Sequence, residues 1–97
     1  MASFGTRVIV NLNTPLLDVD GNPVPGATLA RSCSIALFSQ RHETGEDKLK
    51  AYELAKVIRD GDEGVDLPIE DWVFVKTKIG ELLTPLEYGQ ICEVIGR

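Results

Sequence analysis

Histidine is almost missing from this chain. His42 is the only one in 97 residues, which rules out a two-histidine metal site and leaves a Cys or Ser nucleophile one candidate imidazole base. Cysteine is nearly as scarce. Cys33 and Cys92 lie far apart among apolar neighbours, in "RSCSIALF" and "GQICEVIG" and not in a CxxC pair. They are expected to be buried free thiols, with a disulfide between them left open by spacing alone. No GxSxG, Walker A or GxGxxG string occurs, so the common nucleophile-elbow and phosphate-cradle chemistries have no carrier. Long apolar runs are also missing. None approaches the roughly 20 residues of a bilayer span, and the start "MASFGTRVIVNLN" has no apolar stretch behind a basic one. The chain is therefore expected to be soluble, intracellular where it is made, and off the membrane. Excess positive charge is the last absence. Net charge is −5 and the ten Lys and Arg residues are scattered, the reverse of the concentrated basic field that generic nucleic-acid binding needs.

What is present is enough for one small core. Hydrophobic residues make up 43% of the chain and the charges are interleaved, so residues 1–97 are expected to fold as a single domain. The predicted class is α+β: an N-terminal β-hairpin (ribbon over 1–27) packed on a small bundle of about four helices (28–97). In "RVIVNL", Val8, Val10 and Leu12 fall on one face of a strand, and "LLDV" reads as a second short extended piece. From Thr28 the period changes to helical. Leu29, Cys33, Ala36 and Leu37 form one stripe, with Thr28 as cap and an end near Ser39. In "EDKLKAYELAKVIRDG" the expected stripe is Leu49, Tyr52, Ala55 and Ile58, with Glu46 and Lys50 as an i, i+4 pair and Gly61 as a stop. A third helix is expected to start around Leu67-Pro68 with the stripe Ile69, Trp72, Val73, Ile79 and Leu83. The strongest local signature is Thr84-Pro85-Leu86-Glu87, a capping box that opens a last helix to about Ile95.

Two acidic stretches invite a metal. "LLDVDGNPVPG" (16–26) places Asp18, Asp20 and Asn22 at the first, third and fifth positions of a calcium loop, but Pro23 takes the sixth, where glycine belongs, and Leu29 the twelfth, where a bidentate Glu belongs. A tight turn at Asp20-Gly21 is the better reading. "DGDEGVD" gathers Asp60, Asp62, Glu63 and Asp66 between two helices and reads as a solvated loop. No metal, cofactor or catalytic residue is assigned. Arg41 and His42 read as loop surface, and Cys33 points into the core.

The terminal helix carries Leu86, Tyr88, Ile91, Cys92, Val94 and Ile95 nearly all round. In so small a domain such a helix is expected to meet another chain, the alternative being a central helix wrapped by its own domain. With the third helix it supplies the expected interface: Trp72, Phe74, Leu86, Tyr88, Ile91 and Ile95. On this reading Ile91→Asp breaks self-association and leaves a folded monomer.

Over residues 45–97 the order of features is a charged helix of K-x-x-x-Y-x-L-A type (Lys48, Tyr52, Leu54, Ala55), an acidic break, Lys76 with Gly80, and a terminal P-L-x-x-G-Q helix (Pro85, Leu86, Gly89, Gln90). With the N-terminal "LNTPLLDVDGNPV", it resembles small uncharacterised proteins of tailed bacteriophages and prophages, departing from them at Leu67-Pro68, where Ser or Thr is expected as a helix cap. The resemblance implies a viral origin and carries no activity or site residues. The expectation is a phage-encoded, non-enzymatic protein in the host bacterial cytoplasm. It forms a homo-oligomer and acts by binding a host protein or small ligand, in a host-takeover or counter-defence role. The alternative is a virion structural or assembly component.

Overall fold

The computed structural model describes residues 7–39, 41, 44–61 and 64–96. Element order is β1 (Arg7–Val10), β2 (Pro15–Leu17), β3 (Pro23–Thr28), α1 (Leu29–Ser39), α2 (Gly45–Asp60), β4 (Val65–Pro68), α3 (Ile69–Ile79) and α4 (Pro85–Ile95). The fold is α+β, with four helices as expected. The strand pairing differs. β1 does not pair with β2; it runs antiparallel to β4, with Val8 opposite Leu67 and Val10 opposite Val65. The hairpin is β2–β3. Residues 28–97 are therefore not wholly helical, because "VDLP" just before α3 is a strand. Its alternation is legible afterwards: Val65 and Leu67 are buried, while Asp66 faces out and pairs with Arg7 at 3.2 Å.

The β2–β3 turn answers the calcium-loop question. One Asp18 carboxylate oxygen accepts from the backbone N–H groups of Asp20 (2.9 Å) and Asn22 (3.0 Å), and Gly21 takes φ +81°. The acidic side chain is spent on its own loop, and the glycine supplies a backbone conformation that other residues adopt at a cost. Gln90 of α4 fixes this hairpin from outside. Its carboxamide accepts from Leu17 N–H and donates to Leu17 C=O, both at 2.9 Å, so one side chain stands in for a neighbouring strand. Among the acidic residues of "DGDEGVD", Asp62 and Glu63 lie outside the described residues, as does His42.

Helix α1 buries Leu29, Ala30, Cys33, Ser34, Ala36 and Leu37, and Thr28 caps it by accepting from Arg31 N–H at 3.1 Å. Helix α2 is rotated from its expected setting. It buries Ala51, Leu54, Ala55 and Ile58, leaving Leu49 and Tyr52 exposed. The α1–α2 pair is the most extensive helix contact, and each helix buries small side chains, Cys33 and Ala36 on α1 and Ala51 and Ala55 on α2, a composition that permits closer helix approach than Leu49 and Tyr52 would. Lys50 does not serve a helical pair with Glu46; it reaches Asp71 of α3 at 3.2 Å, and Lys78 of α3 reaches Asp47 at 3.4 Å. Gly61 ends α2 without positive φ (−82°). A Cβ there would lie 2.6 Å from Val65 Cγ2, so glycine is needed for room and not for its backbone freedom.

Helix α3 is also turned from the expected stripe. Trp72, Val75 and Ile79 are buried, whereas Ile69 and Val73 are exposed. The indole explains the setting, since Trp72 Nε1 donates to Val8 C=O of β1 at 2.9 Å, which rolls Val75 under the helix. The Thr84 half of the expected capping box forms, whereas the Glu87 carboxylate takes the Thr84 hydroxyl and not its backbone N–H. Thr84 Oγ1 accepts from Glu87 N–H at 3.4 Å and its hydroxyl donates to the Glu87 carboxylate at 3.2 Å.

Candidate functional site

Of the six residues expected at an interface, two require correction: Trp72 (2% exposed) and Ile91 (0%) are core side chains. Trp72 is drawn in by its hydrogen bond to β1, and Ile91 lies on the stripe by which α4 enters the core cluster. Phe74 is half-buried with Lys50 and Lys78 over its ring, 4.8 and 5.6 Å from the centroid. Tyr88 is half-buried over Gly80, where a Cβ would come within 3.2 Å of the ring. Its phenol is raised from the ordinary value, chiefly by a hydrogen bond with the Cys92 thiol. Leu86 is exposed. Ile95 is half-buried and lines a groove of about 270 Å³ together with Val8, Ile69, Val73 and Lys76. The expected set is therefore split between core and surface, and the apolar surface nearest to it is the α3 turn of Ile69 and Val73.

A second groove, of about 400 Å³, lies where the outer face of α1 meets α2. Arg31, Ile35 and Phe38 follow one another at i, i+4 and i+7 on the side of α1 opposite its core stripe. Ile35 and Phe38 remain 49% and 41% exposed. The Phe38 ring packs edge-on against Tyr52 at 5.8 Å. Arg59 of α2 closes the rim, its guanidinium 5.9 Å from the Phe38 centroid and bonded to both Asp60 carboxylate oxygens at 2.9 and 3.2 Å. That hydrogen bond holds the Asp60 carboxyl below its usual range. Thr28, Asn13 and Ser34 also line the groove.

The backbone donors at the start of α1 are already used. Leu29 and Ala30 N–H donate to the Thr14 and Leu12 carbonyls at 2.9 and 2.8 Å, and Arg31 N–H is taken by Thr28. Arg31's guanidinium, in contrast, has no hydrogen bond or ion pair among the described residues, whereas Arg7, Lys50, Lys56, Arg59 and Lys78 each face a carboxylate. Sequence reasoning counted Arg31 only as one scattered charge. The available signal was two large apolar residues, Ile35 and Phe38, on the side of α1 that its own periodicity assigns to solvent.

Both cysteines are free and buried. Burial pushes the Cys33 thiol from 9.0 up to about 12, the opposite of what a nucleophile needs. Because the folded state holds this proton more tightly than the unfolded chain, the stability it contributes is complete below pH 9 and is lost as pH climbs from 9 toward 12. Urea midpoints are expected to fall between pH 8 and pH 10, and Cys33→Ala to flatten that fall; an unchanged slope refutes the linkage. Among the described residues, no group of three or more His, Cys, Asp or Glu side chains is arranged to hold a metal ion, and no helix is long and apolar enough to cross a membrane.

Comparison of the chain with known protein families, curated proteins and solved structures finds no match.

Proposed function

We propose that this chain is a phage-encoded, non-enzymatic binding protein of the host bacterial cytoplasm that self-associates and acts by holding a host protein or small ligand. The resemblance of residues 45–97 to small phage proteins supports the origin. The observation that carries self-association is the pair Ile69 and Val73, one helical turn apart on α3. They are 47% and 56% exposed beside the groove formed with Val8 and Ile95. β-Branched side chains with half their surface in water and an apolar cleft beside them gain about 25 cal/mol for each Å² that a partner covers. A second copy brings the same apolar face, and a two-fold arrangement lets each Val73 enter the other's groove.

Sedimentation velocity across a micromolar concentration series tests this. Wild type is expected to sediment as an oligomer and Val73→Glu as a monomer with its melting temperature little changed, since the side chain is already exposed. A wild type that is monomeric throughout, or a Val73→Glu protein of unchanged mass, overturns this reading. A large closed ring transfers it to a virion assembly component.

A further inference from the structure

We propose that the α1–α2 groove is a binding site for a small anion carried on a flat apolar body, an aryl phosphate or aryl carboxylate, with Arg31 gripping the charge and Phe38 and Ile35 taking the ring. This deepens the binding reading above by naming the ligand class, and it rests on that reading.

Three independent observations converge. The first is charge. In a chain of net charge −5, the exposed Arg31, like Lys48 and Arg41, has no hydrogen bond or ion pair for its side chain among the described residues, but it alone of the three lines this groove, while Arg59 directs its donors to Asp60 on the opposite rim. A guanidinium presents a planar fork of donors that fits a carboxylate or phosphate in two parallel bonds, and an unpaired one keeps that fork open.

The second is shape. A groove of about 400 Å³ falls in the range of small-molecule sites. Its walls set an aromatic edge and a branched aliphatic chain beside an equal share of polar groups, Asn13, Thr28 and Ser34 among them, a more polar lining than most small-molecule sites and one suited to a charged ligand. The third is the state of the helix start. The first amides of α1 are bonded to Thr14, Leu12 and Thr28, so recognition of the anion falls to the Arg31 side chain, and one substitution tests it. The ring is needed as well as the charge, because the protein's overall negative field repels a bare anion and the apolar contact must offset that repulsion.

The experiment is a set of ¹H–¹⁵N titrations of the full chain with four probes: phenyl phosphate, benzoate, inorganic phosphate and benzyl alcohol. Phenyl phosphate or benzoate is expected to shift the amides of Arg31, Ile35, Phe38 and Arg59 in a saturable way. The stronger of the two identifies the anion. Inorganic phosphate and benzyl alcohol are each expected to bind at least tenfold more weakly. Arg31→Ala is expected to weaken the preferred probe at least tenfold with the spectrum otherwise preserved, and Arg31→Lys, which keeps charge but loses the fork, to lie between. Binding unaffected by Arg31→Ala, shifts outside the groove, or no saturable shift with either aryl anion overturns the proposal. Sedimentation of the same samples separates the two readings: an oligomer with a silent groove removes the ligand and leaves self-association standing, while a monomer with a silent groove removes both.

Discussion

Ile91→Asp is expected to abolish the folded state, with loss of far-ultraviolet helix signal and collapse of amide dispersion at all concentrations. Ile91 is wholly inaccessible on α4 and belongs to the core cluster with Leu12, Leu37, Ile58 and Ile79. The substitution deletes about 2 to 5 kcal/mol of apolar packing of the kind lost in large-to-small core changes. It also brings in a carboxyl group that must be buried unpaired or kept protonated at a further cost of several kcal/mol. A domain of this size has only about 5–15 kcal/mol to lose. The outcome differs in kind from the sequence expectation of a folded monomer that no longer self-associates. Ile91→Val is the control, expected to cost about 0.5–1.5 kcal/mol. A well-dispersed spectrum from Ile91→Asp refutes the placement of α4.

Trp72→Ala comes second in size, expected to cost about 3–5 kcal/mol in urea unfolding, as for other buried aromatic truncations. Its indole is the largest fully buried side chain, and its N–H donates to the Val8 carbonyl. Trp72→Phe separates the two contributions, keeping much of the ring while leaving that carbonyl without its donor. About 1–3 kcal/mol is expected for the unsatisfied group alone. Because the bond ties α3 to β1, hydrogen exchange in Trp72→Phe is expected to speed up first in β1 and β4, ahead of α1 and α2. Uniform acceleration across all elements counts against that role.

These two residues also show where sequence reasoning held and where it stopped. Local chemistry was legible: Thr28 and Thr84 cap their helices, Gly21 turns the chain at positive φ although the bonding carboxylate is Asp18 and not the expected Asp20, and α1 buries the stripe that its spacing names. Rotation of a helix about its own axis was not. Both α2 and α3 offer more apolar residues than one face can hold, and which of them turns inward depends on a partner elsewhere: helix α1 for α2, the Val8 carbonyl for α3. Periodicity carries no record of that partner. The β1–β4 pairing was hidden for a related reason, since "VDLP" is short, ends in proline and adjoins a helix. The interface residues inherited the error, Trp72 and Ile91 being apolar enough for either a surface or a core. That Arg31 has no ion pair among the described residues was not legible either, since spacing along the chain does not record which carboxylates lie near it in space.

The pairing of β1 with β4 also sets an order of events during synthesis. β1 is made before its partner β4, which follows about 55 residues later, and at 5–20 residues per second that is a wait of roughly 3 to 11 s. In that interval Val8, Ile9 and Val10 lack the strand they pair with in the fold, while α1 and α2 are adjacent in the chain and their contact is the more local one. On a crowded message, the same segment of the next nascent chain is a competing partner. β1 is thus secured only once residues 65–68 are available, after the α1–α2 pair that lies between the two strands in the chain.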